Sequence, residues 1–163
     1  MKLSTITVVL LAAFISMSAC KTSYMKKFKK EARKEVGKKN ISIHSDTVKV
    51  VYPEVSMFDF NQDQIKPDAQ ASLGRFAALL TKYDRINFII NGYTDNVGTA
   101  DINQSLSQRR ADNAKALFIA DHIADSRMQT NGMGASNPIM DNSTDAGRAA
   151  NRRVEILLYE KKK

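Results

Sequence analysis

From Thr47 to Glu160 the apolar residues switch between two periods, and this switching bounds the fold more tightly than any single motif. Thr47 to Tyr52 (TVKVVY) is β-branched and alternating, the pattern of a half-buried strand, and Pro53 closes it. Met57-Phe58-Asp59-Phe60 reads as a short strand or an extended approach to a loop. Pro67 suits a first helical turn and Asp68 its positive end, and Ala69, Leu73, Phe76 and Leu80 continue at helical spacing to Lys82. Ile86 to Tyr93 (INFIINGY) is apolar on both sides apart from its asparagines, as a central strand requires. Asp101-Ile102-Asn103-Gln104 has the form of a capping box and opens a long helix to about His122. Arg127 to Gly132 is a short third strand, Thr144 to Ala150 a short helix, and Arg153 to Glu160 (RVEILLYE) the last strand. The order β-α-β-α-β-β predicts an α+β sandwich with its helices packed on a four-stranded mixed sheet. A domain of about 120 residues buries roughly two thirds of its unfolded surface, enough for one core without staples.

Charge and rare residues remove several function classes. The formal charge of +8 suggests a nucleic-acid partner, but residues 21–39 carry nine Lys/Arg against two Glu, whereas residues 40–163 carry fifteen of each sign. The domain is therefore neutral, and the basic character belongs to the segment before it. That segment lacks the interleaved aromatics that stack bases, beyond Tyr24 and Phe28, so no nucleic acid is expected as partner. One cysteine excludes an intramolecular disulfide framework, and two histidines, His44 and His122, leave little for a metal site or a triad. No metal and no cofactor are expected.

Residues 1–19 read as a secretory signal: Lys2, an apolar run from Leu3 to Ile15, then small residues before Cys20. The run is too short for a hydrocarbon core of about 30 Å at about 1.5 Å per residue. Met17-Ser18-Ala19-Cys20 resembles the bacterial lipobox, which implies acylation of Cys20 and a bilayer as its partner. In residues 20–46 the lipidated cysteine would lead into a basic tether. There Tyr24, Phe28, Ala32 and Val36 would share one helical face among lysines, either lying on anionic lipid or forming a solvated spacer. Extended, residues 21–45 reach at most about 85 Å. The domain proper is expected at residues 47–160, followed by a basic tail, residues 161–163.

Chemistry concentrates where the strand Ile86–Tyr93 runs into the long helix. Asp95 follows that strand in Thr94-Asp95-Asn96-Val97-Gly98, where a carboxylate serves a turn by accepting backbone N–H groups. On the helix, Asn103, Leu106, Arg110, Ala114 and Leu117 share a face, so Arg110 interrupts an apolar stripe while its neighbour Arg109 can reach solvent. A guanidinium so placed needs an anionic partner, because an unpaired buried charge costs several kcal/mol. Two readings stay open: Arg110 makes a structural ion pair, with Asp95 as one available partner, or Asp95 and Arg110 hold a ligand carrying both an ammonium and a carboxylate. Arg152 and Arg153 begin the last strand, where neighbours point to opposite faces, so only one of them can join that cleft; otherwise both are solvated.

The spans TDNVGTADINQSLSQRRADNAKALF and NGMGASNPIMDNSTDAGRAANRRVEILLY resemble the OmpA-like peptidoglycan-binding domain of OmpA and of Pal lipoproteins. The signature residues are Thr94, Asp95, Gly98, Asn103, Leu106, Ser107, Arg110 and Ala111, with further pieces at Gly132 to Pro138 and Gly147 to Val154. The resemblance implies non-covalent binding of peptidoglycan, with Asp95 and Arg110 on the ammonium and carboxylate of meso-diaminopimelate. It also implies Asn61, Asn103 and Arg152 as further ligand contacts. It implies a lipoprotein of the outer membrane with its domain facing the periplasm, peptidoglycan as partner, and other envelope proteins, as in a Tol-type complex, as an open question. The competing readings are a cell-wall hydrolase using paired carboxylates, for instance Asp95 with Asp101, and a periplasmic protein-interaction module in which Asp95 and Arg110 are structural.

Overall fold

The structure, a computed structural model, describes residues 24–59 and 61–161. The signal segment 1–19, Cys20, Phe60 and the last two lysines of the tail lie outside these. Residues 24–36 form helix α1, followed by a 3₁₀ turn at Lys38–Asn40 and strands β1 (Ile41–His44) and β2 (Thr47–Pro53). Then come the single-turn α2 (Glu54–Met57), α3 (Pro67–Lys82), β3 (Ile86–Tyr93) and α4 (Ala100–Ala120). A second 3₁₀ turn at Asp125–Arg127 leads to β4 (Met128–Gly132), α5 (Asp145–Asn151) and β5 (Arg153–Glu160). The five strands lie in the order β1-β2-β5-β3-β4, antiparallel except for the parallel pair β3–β4 that α4 connects.

The α+β class matches the sequence reading, but the sheet has five strands rather than four. The added strand is the edge β1, which pairs Ile41 with Val50 and Ile43 with Val48 across a hairpin turned at Ser45-Asp46. A four-residue strand ISIH is too short to show its period, and its pairing to β2 is what makes it a strand. Met57, read as the start of an extended stretch, instead closes α2, whereas Phe58 is extended and makes an isolated antiparallel bridge to Ile65. The long helix begins two residues earlier than the Asp101 box suggests. Its cap is Thr99, whose hydroxyl accepts the Ile102 N–H at 3.3 Å.

Residues 24–44, expected as spacer, belong to the fold. Phe28 and Ala32 are fully buried, and Phe28 and Tyr24 pack edge-on to the Tyr83 ring at 5.1 and 5.3 Å. The apolar face read as meeting lipid or water meets the core, because α3 and the β1–β2 hairpin offer it dry surface. Burying a phenylalanine contributes about 2–3 kcal/mol, more than solvation of a spacer supplies.

The main core sits between the sheet and helices α3 and α4, with Leu73, Phe76, Leu80, Phe88, Ile90, Phe118, Ile156 and Leu158 all at 0% exposure. Glycine sets how closely α4 approaches the sheet. A Cβ on Gly92 would stand 2.1 Å from the Ser107 carbonyl oxygen, and one on Gly132 2.7 Å from the Gln108 nitrogen. This contact brings the first turns of α4, and with them Asn103 and Arg110, over the ends of β3 and β5.

Candidate functional site

The chain ends of three strands meet at one edge of the domain. β2 delivers Glu54 directly after Pro53, β3 delivers Thr94 and Asp95 after Tyr93, and α5 delivers Arg152 just before β5. The first half of α4 lies across them. Together with the Asn61 turn and the exposed side of α5, these residues line an open cleft of about 560 Å³. All five residues expected to contact ligand, Asn61, Asp95, Asn103, Arg110 and Arg152, line it.

Asp95 does both things a turn carboxylate at a cleft can do. Its Oδ1 accepts the Val97 N–H at 3.0 Å, and its Oδ2 accepts Arg152 Nη1 at 2.7 Å. Asn103 braces the same turn, its Nδ2 donating to the carbonyls of Asp95 at 3.4 Å and Val97 at 3.1 Å. Gly98 continues the turn at φ +94°, a conformation that side chains rarely adopt. Asn61 also has a positive φ, 57°, which asparagine tolerates.

Arg110 is 1% exposed, so the interruption of the apolar stripe of α4 is a true buried charge. Its partner is Glu54. Arg110 Nη2 donates to Glu54 Oε1, Nε donates to the Gln62 carbonyl at 2.9 Å, and the guanidinium lies 4.9 Å from the Phe58 ring centre. Its Nη1 makes no hydrogen bond to a described residue. Arg152 Nε donates to Glu54 Oε2, so one carboxylate joins both arginines, and Arg152 carries the network on to Asp95. Burial lowers the Arg152 pKa, but its hydrogen bonds to Asp95 and Glu54 outweigh that and leave it raised, so it stays charged. Asp95 and Arg110 thus flank a common cleft without bonding each other.

Glu54 was not legible as a site residue. It follows a proline at the end of a strand pattern, where an acidic residue ordinarily serves turn and helix start, and its partners lie 56 and 98 residues away. The alternation argument for Arg152 and Arg153 holds: Arg152 joins the cleft and Arg153 turns away. Arg153 is nevertheless 3% exposed rather than solvated, bonded to Glu155 at 2.8 Å and stacked 3.7 Å over Tyr93. Arg109 reaches solvent as expected and pairs with Asp63 at 2.6 Å.

Two more features shape the cleft. Thr94 Oγ1 is buried without a hydrogen-bond partner among the described residues, an unusual state for a hydroxyl at a site wall. On the outer wall, Arg148 pairs with Asp145 and donates to the Asn142 carbonyl at 2.8 Å. Among the described residues no group of three or more His, Cys, Asp or Glu is placed to hold a metal ion. Asp101, which would pair with Asp95 in a carboxylate hydrolase, does not line the cleft.

Residues 57–152 match the OmpA family. The chain is 37% identical over 119 residues to the probable lipoprotein YiaD of Escherichia coli, covering 73% of this chain and 54% of that protein. It is 37% identical over 102 residues to the outer-membrane lipoprotein YfiB of Pseudomonas aeruginosa, covering 63% of this chain and 61% of that protein. It thus spans little more than half the length of these relatives. Among solved structures it is similar to the cell wall anchor of the type VI secretion system (T6SS) of Pseudomonas aeruginosa. That likeness has a TM-score of 0.68 at 26% identity, covering 83% of this chain and 96% of that one. With the signature residues gathered around one cleft and more than half of the chain matched, the chain belongs to the OmpA family.

Proposed function

We propose that this protein binds peptidoglycan without reacting with it, by holding the meso-diaminopimelate headgroup of the stem peptide in the cleft between Asp95 and Arg110. The observation that carries the reading is the unspent bonding capacity of those two groups. A carboxylate has about four lone-pair positions, and Asp95 uses two, so a ligand ammonium can join Arg152 there without displacing it. Arg110 spends Nε and Nη2 on the protein, and Nη1, without a partner among the described residues, is the group offered to a ligand carboxylate. Asn103 spends both Nδ2 hydrogens on the turn and keeps Oδ1 as an acceptor, and the Thr94 hydroxyl lacks a partner among the described residues. Glu54 and Asp95 together balance the two arginines, so the cleft recognises a paired positive and negative charge rather than any anion. The name of the solved relative at 26% identity, a cell wall anchor, supports the same reading.

In this reading acylated Cys20 holds the protein on the outer membrane with its domain in the periplasm, which ties membrane to wall; two relatives named as lipoproteins support the anchor. The test is co-sedimentation of the full chain with insoluble meso-diaminopimelate peptidoglycan. Wild-type protein is expected in the pellet, and free meso-diaminopimelate is expected to displace it. Asp95→Ala removes one charged hydrogen bond to ligand, worth about 1.5–3 kcal/mol, so affinity should fall about 10- to 150-fold while circular dichroism stays native. Undiminished sedimentation of a folded Asp95→Ala would refute the clamp and make the pair structural. Release of soluble muropeptides during incubation would refute binding without reaction.

A further inference from the structure

The cleft lies at one end of the sheet, and the opposite end is basic through three separate stretches of chain. β3 runs from Ile86 at that far end to Tyr93 beside the cleft, eight residues and so about 25 Å. Tyr24 is bound at the far end, its hydroxyl accepting the Arg85 N–H at 3.0 Å and its ring lying 3.7 Å under the Arg85 guanidinium. Lys29 donates to the Ser45 carbonyl in the β1–β2 turn, at the same end. β5 also finishes there, opposite Ile86, and Lys161 follows with its N–H on the Arg85 carbonyl at 2.9 Å. Lys26, Lys27 and Lys30 of α1, Lys82 at the end of α3, and Lys161 are all exposed.

Two acidic groups of this end have cationic partners. Glu160 pairs with Arg85 at 3.4 Å, Asp125 with Lys115 at 2.7 Å, and Asp84 accepts the Tyr24 hydroxyl at 3.4 Å. Among the described residues four carboxylates of this end, Glu31, Asp46, Asp84 and Asp121, have no cationic partner, against the six lysines Lys26, Lys27, Lys29, Lys30, Lys82 and Lys161, so an excess of positive charge remains. The apolar face of α1 is spent on the core, so this end cannot insert into a bilayer as an amphipathic helix would; what it offers is charge.

We infer that the end of the domain carrying Tyr24, Lys26, Lys27, Lys30, Lys82 and Lys161 seats on an anionic phospholipid surface, with the cleft facing away from the membrane. Charge complementarity argues for this occupant, and so does chain length. Cys20 precedes Tyr24 by four residues, which extend at most about 14 Å. A membrane-bound Cys20 would hold this end, not the cleft, beside the headgroups. The folded start of the chain replaces the long spacer, and the reach toward the wall becomes the depth of the domain itself. The seat needs only the lysines; the distance argument alone rests on the proposed anchor, and the mass of the Cys20 peptide reports acylation independently of peptidoglycan binding.

The test is fluorescence quenching on vesicles that carry a headgroup nitroxide, using the full chain purified from bacterial membranes. Single labels are placed through Ser45→Cys at the basic end and Met140→Cys, 55% exposed in the parent chain, near the cleft, with the parent chain as blank. In phosphatidylcholine mixed with phosphatidylglycerol, the Ser45 label should be quenched and the Met140 label not; in phosphatidylcholine alone the Ser45 quenching should fall. Combining Lys26→Gln, Lys27→Gln and Lys30→Gln, all surface changes, should cut the seated fraction ratio by about fivefold per lysine. Equal quenching of both labels, or a Ser45 signal indifferent to phosphatidylglycerol and to the three substitutions, overturns the inference.

Discussion

Glu54→Ala is the most demanding test of the buried network. Glu54 is 7% exposed and accepts charged hydrogen bonds from Arg110, at 1% exposure, and from Arg152. Arg152 keeps Asp95 and has access to water, so its loss is small. Among the described residues Arg110 keeps the Gln62 carbonyl and the Phe58 ring and becomes a buried cation without a counter-charge. Breaking a buried pair from one side costs about 3–5 kcal/mol, and the partial exposure of Arg152 argues for the lower end, about 3 kcal/mol. For a chain of this size that is a fall in Tm of roughly 6–12 °C. Thermal and urea unfolding followed by circular dichroism would measure it. The physical content lies in the double variant. If the cost is the stranded charge, Glu54→Ala with Arg110→Met should be more stable than Glu54→Ala alone, with a coupling of about 2 kcal/mol. A Glu54→Ala protein within about 1 kcal/mol of wild type, or strictly additive single changes, would refute the reasoning.

Other outcomes follow from the same contacts. Phe28→Ala should cost about 3–5 kcal/mol and make residues 24–40 the first site of limited proteolysis, because the ring is fully buried against Tyr83. A solvated spacer would leave urea unfolding unchanged. Gly92→Ala forces a methyl to 2.1 Å from the Ser107 carbonyl, so α4 must lift from β3; expression as a folded protein with native Tm would contradict that close approach. Burial pushes the Tyr83 hydroxyl up to about 12, with the Glu31 carboxylate adding to the effect, and burial pushes Tyr52 higher still. Both are neutral in the folded state, so their contribution is complete below pH of about 10 and is lost as pH rises through the folded values. Absorbance titration at about 295 nm should show these two tyrosines ionising only as the protein unfolds, and normal titration of all five would be the contrary result.

Periodicity alone placed α3, β3 and β5 within a residue or so, because each carries a full apolar repeat bounded by Pro, Gly or a charged residue. The charged interruption of α4 pointed to Arg110 without any knowledge of its partner, since a lone arginine on an apolar face must be paired somewhere. The turn role of Asp95 was legible because its bond to the Val97 N–H is local.

What only the tertiary structure decided is who stands next to whom. Arg110 and Asp95 could have bonded each other; instead Glu54 takes one and Arg152 the other, through pairings 56, 98 and 57 residues apart that no local pattern encodes. The sheet recruited β1 because four residues acquire strand character only from a partner's hydrogen bonds. Helix α1 shows the limit most plainly. Its apolar face and basic surround are written in the sequence, yet an apolar face is equally satisfied by lipid or by a protein core. The dry surface of α3 and Tyr83 made the choice, and in doing so turned a spacer into the base of the domain.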